Sequence, residues 1–401
     1  MISGAPPTGR GDLDLIRTEV RRLAEKYGCE YWRSLEPDRY PEEFVVDLTT
    51  HGWLGALIPE EYGGGGLDLT GASVVLEEIS ASGGNPSACH AQMYVMGTLV
   101  RHGSEEQKRR YLPRIASGEL RLQAFGVTEP IAGSDTGSIR TRAIRDGDTW
   151  RVNGQKIWTS RALYSDLMVL LARTTPAEEC ERHTDGLSVF LVEMRDDARD
   201  LVPGLTINPI STMMNHSTTE VFFDDVLVPS TNLVGDLNDG WRICNGALAH
   251  ERAMLWVMWS QSRDNMLDDA LAELNGTSHA DDDVVLDRLG RSIMDSHAIR
   301  LLGHRQLAKQ QRGLVPAEQS ILKLMGSEAQ QDLAALMLET LGAAALDQTV
   351  DSTLRFPYET DRGAVSWSDR YLFTFAGTIS GGTSEIQRNI VAERVLGLPR
   401  G

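Results

Sequence analysis

The sequence is poor in cysteine: four in 401 residues, Cys29, Cys89, Cys180 and Cys244, too few and too scattered for a disulfide framework or a zinc ribbon. They read as reduced thiols of a cytoplasmic protein, and no metal is expected. Basic side chains are also scarce. Against 57 Asp and Glu stand 39 Lys and Arg, a net charge of −18 and a pI near 5.0. That balance excludes a binder that tracks nucleic-acid phosphates, because such affinity rests on Lys and Arg. The chain also lacks any run of about eighteen apolar residues, and its opening, MISGAPPTGRGDLDLIRTEV, lacks the apolar core of a signal peptide. No membrane insertion is expected, and the Gly- and Pro-rich first ten residues read as a loose tail. The partner implied is a small molecule or another protein.

What is present is a globular composition, 41% hydrophobic and 24% charged, long enough for two or three packed domains. From about residue 11 to 120 apolar residues recur at helical spacing, as in Phe44, Val45, Leu48 and Val74, Leu76, Ile79. Ser104 and Gln107 form a capping box that opens the helix EEQKRRYLPRI. Gly63 to Gly66 read as a flexible loop, since no strand precedes them and the spacing does not match a dinucleotide fingerprint.

The texture changes near residue 121. Short runs rich in β-branched and aromatic residues follow one another: TWRVNGQKIWTS, DLMVLLART, GLSVFLVEM and TTEVFFDDVLV. Asn153-Gly154 reads as a hairpin turn. After Gly240 amphipathic helices return, over about 241–275, 284–312, 317–347 and 381–396. The acidic stretch 261–290, with Asp281-Asp282-Asp283, reads as a solvated inter-helix connection. No internal repeat is evident. The chain therefore divides into an all-α domain at 1–120, a β domain at 121–236 and a helical bundle at 237–401, an α+β protein in three blocks.

Two segments of the β block could carry chemistry. FGVTEPIAGSDTGS sets Val127, Thr128, Gly133 and Ser134 on a loop whose N–H groups and hydroxyls could hold an anionic or carbonyl-bearing ligand, although such loops often only turn the chain. In NGQKIWTSRA, Trp158 offers either a core side chain or a stacking face, with Thr159 and Ser160 adding hydroxyls. In the following helix Glu251 shares a face with Ile243, Ala247, Met254, Leu255 and Met258, with no basic residue at i±3 or i±4. Arg252 points about 100° away. A carboxylate so placed is paired to another helix, exposed beside a stripe drawn too wide, or raised in pKa toward that of a general base.

TEPIAGSD, DGDTWRVNGQKIW, VFFDDVLVP, HERAM and ISGGTSEIQRNIVAERVLG, in that order, resemble the acyl-CoA dehydrogenase family of flavoproteins over residues 40–399. The resemblance implies an N-terminal helical domain, a middle β-barrel or sandwich domain and a C-terminal four-helix bundle. It also implies FAD. Phe125, Val127 and Thr128 would lie along the flavin, with Thr128 at its pyrimidine edge. Gly133 belongs to the same loop, and Ser134 would serve the flavin pyrophosphate or the pantetheine. Trp158 would cover the ring, beside Thr159, and Ser160 would point at N5, where relatives more often carry Thr. Gly382, Thr383, Ser384 and Glu385 match a flavin-contacting run.

Many members carry the catalytic glutamate at the place held here by Gly381, a residue that would instead border the substrate. A second subset carries it in a Glu-Arg pair on the first C-terminal helix. Glu251-Arg252 is such a pair, so the resemblance makes Glu251 the base and places Arg252 beside the substrate. The activity implied is α,β-dehydrogenation of an acyl thioester, on CoA or a carrier protein, with an electron-transfer flavoprotein as acceptor. A homotetramer built as a dimer of dimers, or a hetero-oligomer with a related chain, would be the assembly. A flavin monooxygenase of the same fold and a non-catalytic subunit are the alternatives.

Three departures stand out. The Arg-x-x-Phe-Gly stretch usual between the first two bundle helices is absent from 268–292, the adenosine-side glycine run reads Leu341-Gly342-Ala343-Ala344-Ala345, and Met213-Met214-Asn215-His216 replaces a Gly/Arg-containing segment. The acyl group is not legible in the sequence.

Overall fold

The computed structural model describes residues 9–35, 39–212, 218–312, 314, 318–346 and 366–399, apart from the side chains of residues 29, 33, 248–259, 310 and 311. The loose tail expected at the N-terminus and the Met213–His216 segment lie almost wholly or wholly outside the described residues.

Six helices open the chain: α1 (Arg10–Ala24), α2 (Cys29–Ser34), α3 (Glu42–Thr50), α4 (Leu69–Ala81), α5 (Ser87–His102) and α6 (Glu105–Ala116). The Ser104 capping box forms as expected, each partner accepting from the other's backbone N–H. The glycine run between α3 and α4 is not slack. A Cβ on Gly64 would stand 2.2 Å from the Ile58 carbonyl oxygen, so the chain packs tightly there.

Eight strands follow: β1 (Leu122–Gly126), β2 (Arg142–Asp146), β3 (Thr149–Ser160), β4 (Leu167–Arg173), β5 (Leu187–Glu193), β6 (Leu205–Pro209), β7 (Thr218–Pro229) and β8 (Leu233–Val234). They form one sheet in the order β6-β7-β3-β2-β4-β5-β8, with β1 also lying parallel to β4. The unbroken apolar run of β4 has a direct cause, since both faces of the strand are covered. Leu167, Val169 and Leu171 join the core of the N-terminal helices, whereas Met168, Leu170 and Ala172 join a second core inside the sheet.

The hairpin lies elsewhere than the sequence suggested. Asn153-Gly154 sits inside β3, and the turn is made at Gly147, where φ is +60°. Gly154 is needed for close approach rather than for reversal. A Cβ there would meet Thr141 Cα at 2.6 Å.

The bundle comprises α7 (Gly240–Leu274), α8 (Asp283–Gln311), α9 (Gln319–Leu341) and α10 (Trp367–Ile379), followed by α11 (Ser384–Ile390) and one π turn over Val391–Val395. The expected helix over 381–396 is therefore shorter and begins after Gly381 and Gly382, both at positive φ. The helix expected to 347 ends at Leu341, where Gly342 takes φ +57°. Helix α10 was not expected at all. Its start carries a capping box, Ser366 with Asp369. Met266, Leu289, Leu333, Met337 and Trp367 form the bundle's core, beside a buried Arg370–Asp269 pair at 2.8 Å. Helix α8 also exposes Val284, Leu286, Ile293, Met294 and Leu301, and Leu286, Ile293 and Leu301 recur at seven or eight residues as a stripe.

Candidate functional site

Strand β1 delivers Phe125 to the seam between the helical layer and the sheet, where Tyr94 of α5 meets its ring edge-on at 6.1 Å. Beyond Gly126 the chain leaves the ladder, and Val127 and Thr128 remain half-buried beside β3. Ile157 N–H donates to the Thr128 carbonyl at 2.9 Å, which holds the loop edge-on to the strand. The Thr128 N–H makes no hydrogen bond with any described residue. Gly133 and Ser134, further along the loop, are exposed, and no atom crowds Gly133.

Beneath this loop lies an ion pair to which no sequence motif points. The fully buried Lys156 ammonium donates to the Val127 carbonyl at 2.9 Å and to Glu129 Oε1 at 2.8 Å. Glu129 also accepts the N–H groups of Arg140 at 2.6 Å and Thr141 at 2.8 Å. Burial alone would raise the Glu129 pKa, but the attraction of Lys156 and these hydrogen bonds hold it below the ordinary carboxylate value. Burial draws the Lys156 ammonium down from its ordinary value, and Glu129 opposes that pull. A signal for the lysine existed: Trp150, Val152 and Lys156 share strand parity, and the first two are inward-facing apolar residues.

After Lys156 the pairing with β7 slips, leaving a β-bulge between Lys156 and Thr159. Trp158 sits in the bulge at φ +59°, with its indole 56% exposed although Trp is rarely left so. The bulge also switches parity, so Thr159 is buried and Ser160 exposed. Thr159, expected to present its hydroxyl beside Ser160, instead points into the sheet, where Oγ1 has no partner. Arg161, also at φ +59°, turns the chain and reaches the Ser87 hydroxyl of α5.

Helix α7 closes one side. Ile243, Cys244 and Ala247 are buried at one end of a face, and Ile243 and Cys244 belong to the core against which Phe125 and Val127 pack. Cys244 lies close enough to Lys156 to interact with it electrostatically. Further along the same face Ser262 is buried, and Asn265 donates to the Ser80 carbonyl of α4 at 3.0 Å. Position 251 falls on this face by helical repeat, four residues after Ala247 and seven after Cys244. The side chains of Glu251 and Arg252 lie outside the described residues.

Residues 381–385 belong to the turn between α10 and α11 and the start of α11. Gln387 Nε2 donates to the Gly381 carbonyl at 2.8 Å, Thr383 caps α11, and α11 packs on α9, to which Arg388 is tied through Glu328. Ser384 is buried, its hydroxyl without a partner, while Glu385 is exposed with its pKa lowered by hydrogen bonds to its own backbone and Thr383. The structure thus brings together Phe125, Val127, Thr128, Trp158 and Ser160, and holds the run 381–385 by contacts internal to the bundle.

Comparison with known proteins gives one family. The N-terminal, middle and C-terminal domain models of acyl-CoA dehydrogenase match residues 11–119, 124–226 and 238–396 in turn. The acyl-CoA dehydrogenase FadE26 of Mycobacterium tuberculosis is 33% identical over 376 residues, covering 89% of this chain and 88% of that one. Among solved structures, the Tcur3481-Tcur3483 steroid ACAD superposes with a TM-score of 0.83 at 29% identity, over 98% of this chain and 99% of its own. The ChsE4-ChsE5 complex from Mycobacterium tuberculosis gives 0.82 at 30% identity, over 99% and 100%.

Proposed function

Because the chain belongs to the acyl-CoA dehydrogenase family, we propose that it uses FAD to convert an acyl thioester to the 2-enoyl thioester and delivers the electrons to an electron-transfer flavoprotein. It is an oxidoreductase of the acyl-CoA dehydrogenase type. One observation carries the detailed reading: Val127, whose loop is joined to β3 by the Ile157–Thr128 bond, packs on the same core as Ile243 and Cys244 of the α7 face that bears position 251. We take the boundaries of the three domains as 1–120, 121–236 and 237–401.

The residues present fit FAD. An unused N–H at Thr128, an exposed indole held outward at Trp158 and an exposed hydroxyl at Ser160 are what a flat ring with polar edges requires. When bound, the flavin supplies the hydride acceptor. Thr128 would hold its pyrimidine edge, Phe125 and Val127 would flank the ring, and Ser160 and Trp158 would hold it from β3. Gly133 and Ser134 serve the pyrophosphate or the pantetheine, and Gly382, Thr383, Ser384 and Glu385 provide a further contact. Glu251 takes the α-proton. An apolar setting favours this role by raising its basicity. Arg252 and Gly381 border the substrate.

The exposed apolar stripe of α8 supports a second chain covering that face, as another copy in a dimer of dimers or as a related chain. Among the described residues no helix is long and apolar enough to cross a membrane. A cytoplasmic location is the reading we keep for a chain with so few and so scattered cysteines.

The test is the visible spectrum of the purified protein. It should be yellow and bleach anaerobically with a suitable acyl-CoA, screened over a panel that includes a steroid-bearing thioester. A colourless chain that FAD cannot reconstitute would overturn the reading, and a hydroxylated product would redirect it to oxygen chemistry.

A further inference from the structure

The Lys156–Glu129 pair is the one fully buried ion pair that abuts the cofactor loop among the described residues, and the reading above gives it no task. Stability is a weak reason for it. Two charges removed from water need excellent geometry merely to offset their desolvation, and an apolar pair of similar volume often serves as well. The ammonium instead has a directed use. Of its two hydrogen bonds, one goes to a carboxylate and the other to the Val127 carbonyl.

The Val127 carbonyl and the Thr128 N–H belong to one peptide group. A charge-assisted bond to the carbonyl oxygen draws electron density from the peptide and makes its N–H a stronger donor, as chained hydrogen bonds do in a low-dielectric interior. That N–H makes no hydrogen bond with any described residue and lies directly on the peptide that Lys156 touches. Gly126 keeps the route open. A Cβ there would stand 2.9 Å from Met168 Sδ and 3.5 Å from Lys156 Cγ. The adjoining bond from Ile157 to Thr128 fixes the loop's height against β3, so the lysine and the peptide it polarises keep one geometry.

We propose that Lys156 is a positioning residue that polarises the Val127–Thr128 peptide and thereby strengthens the Thr128 N–H toward the flavin's pyrimidine edge. The inference rests on the FAD reading. Reduction places negative charge on that edge, so a stronger donor favours the reduced form and raises the two-electron potential. Glu129 holds the ammonium in place, and its own charge moderates the effect.

The experiment uses the FAD-loaded full chain and reads the midpoint potential and the FAD dissociation constant, neither of which requires turnover. In Lys156→Met the ratio of reduced to oxidised flavin at a fixed potential should fall about tenfold, a downward shift of about 30 mV for a two-electron couple. FAD affinity should fall with it. Lys156→Arg should restore most of the potential. Where Lys156→Met does not fold, Glu129→Gln decides: it keeps the ammonium and should leave the potential at or above that of the parent protein. A potential unchanged in Lys156→Met, or lowered in Glu129→Gln, overturns the proposal while leaving the FAD reading intact. A parent chain that binds no FAD overturns both.

Discussion

Residue 251 stands seven positions after Cys244 on one face of α7, and Cys244 is buried within electrostatic reach of Lys156, the lysine under the cofactor loop. The face therefore runs from the cofactor loop toward the middle of the helix. If Glu251 is the base, Glu251→Gln should keep the yellow colour and FAD affinity. Flavin bleaching by the best acyl-CoA should slow about 10²- to 10⁴-fold, the usual range for a general base. Stopped-flow absorbance measures it. A rate within a few-fold of the parent protein would remove Glu251 from the chemistry.

The loop should loosen in acid. Glu129 binds its proton less readily folded than unfolded, so the stability it contributes is complete above the ordinary carboxylate pKa and drains as pH falls through its lower folded value. FAD release, followed by the rise in flavin fluorescence, should therefore set in below about pH 4.5 in the parent protein. In Glu129→Gln the step should flatten. Identical release curves would detach the loop's integrity from this carboxylate.

Gly154→Ala should be disruptive although the site is a strand interior. The residue has φ +150°, and its added methyl would press on the Thr141 backbone. A loss of about 1–3 kcal/mol is expected from overpacking against atoms that cannot rotate away. Denaturant midpoints at constant m-value give the figure. A change below about 0.5 kcal/mol would mean that the two strands can part.

Much of this was legible in the sequence, for physical reasons that differ from place to place. The Ser104 capping box was readable because it satisfies helix-end N–H groups within four residues, and the run of β4 because a strand covered on both faces is apolar throughout. Asn153-Gly154 misled because a dipeptide suited to a turn is equally suited to a strand pressed against a neighbour, and only the Thr141 contact separates the two. Helix α10 went unseen since its aromatic, β-branched sequence WSDRYLFTFAGTI has strand-like propensity; the Ser366–Asp369 cap was the available sign, and packing against α9 decides the outcome. The Thr159 hydroxyl was misplaced because a bulge is a property of two strands together. Position 251 was readable as a place on a helix face.

The α8 stripe makes a claim about assembly. Leu301→Glu, with Met294→Glu as a second variant, puts a charge where a covering chain would need apolar surface, and both sites are 70% exposed, so the fold should tolerate them. Light scattering should report a smaller particle at unchanged helix content. A particle of undiminished mass would place the interface elsewhere.

The irregularity at Trp158 has one more implication. Upstream of it the even-numbered side chains of β3 enter the sheet, and downstream the odd-numbered ones do. Ironing out the bulge with all its residues kept would turn Ser160 inward and Thr159 outward without altering either amino acid, whereas deleting the surplus residue would leave both facings as they are. The slip in pairing at this point is therefore as much a determinant of which hydroxyl meets the ligand as residue identity, and a transplant of the motif must keep its residues and that slip together.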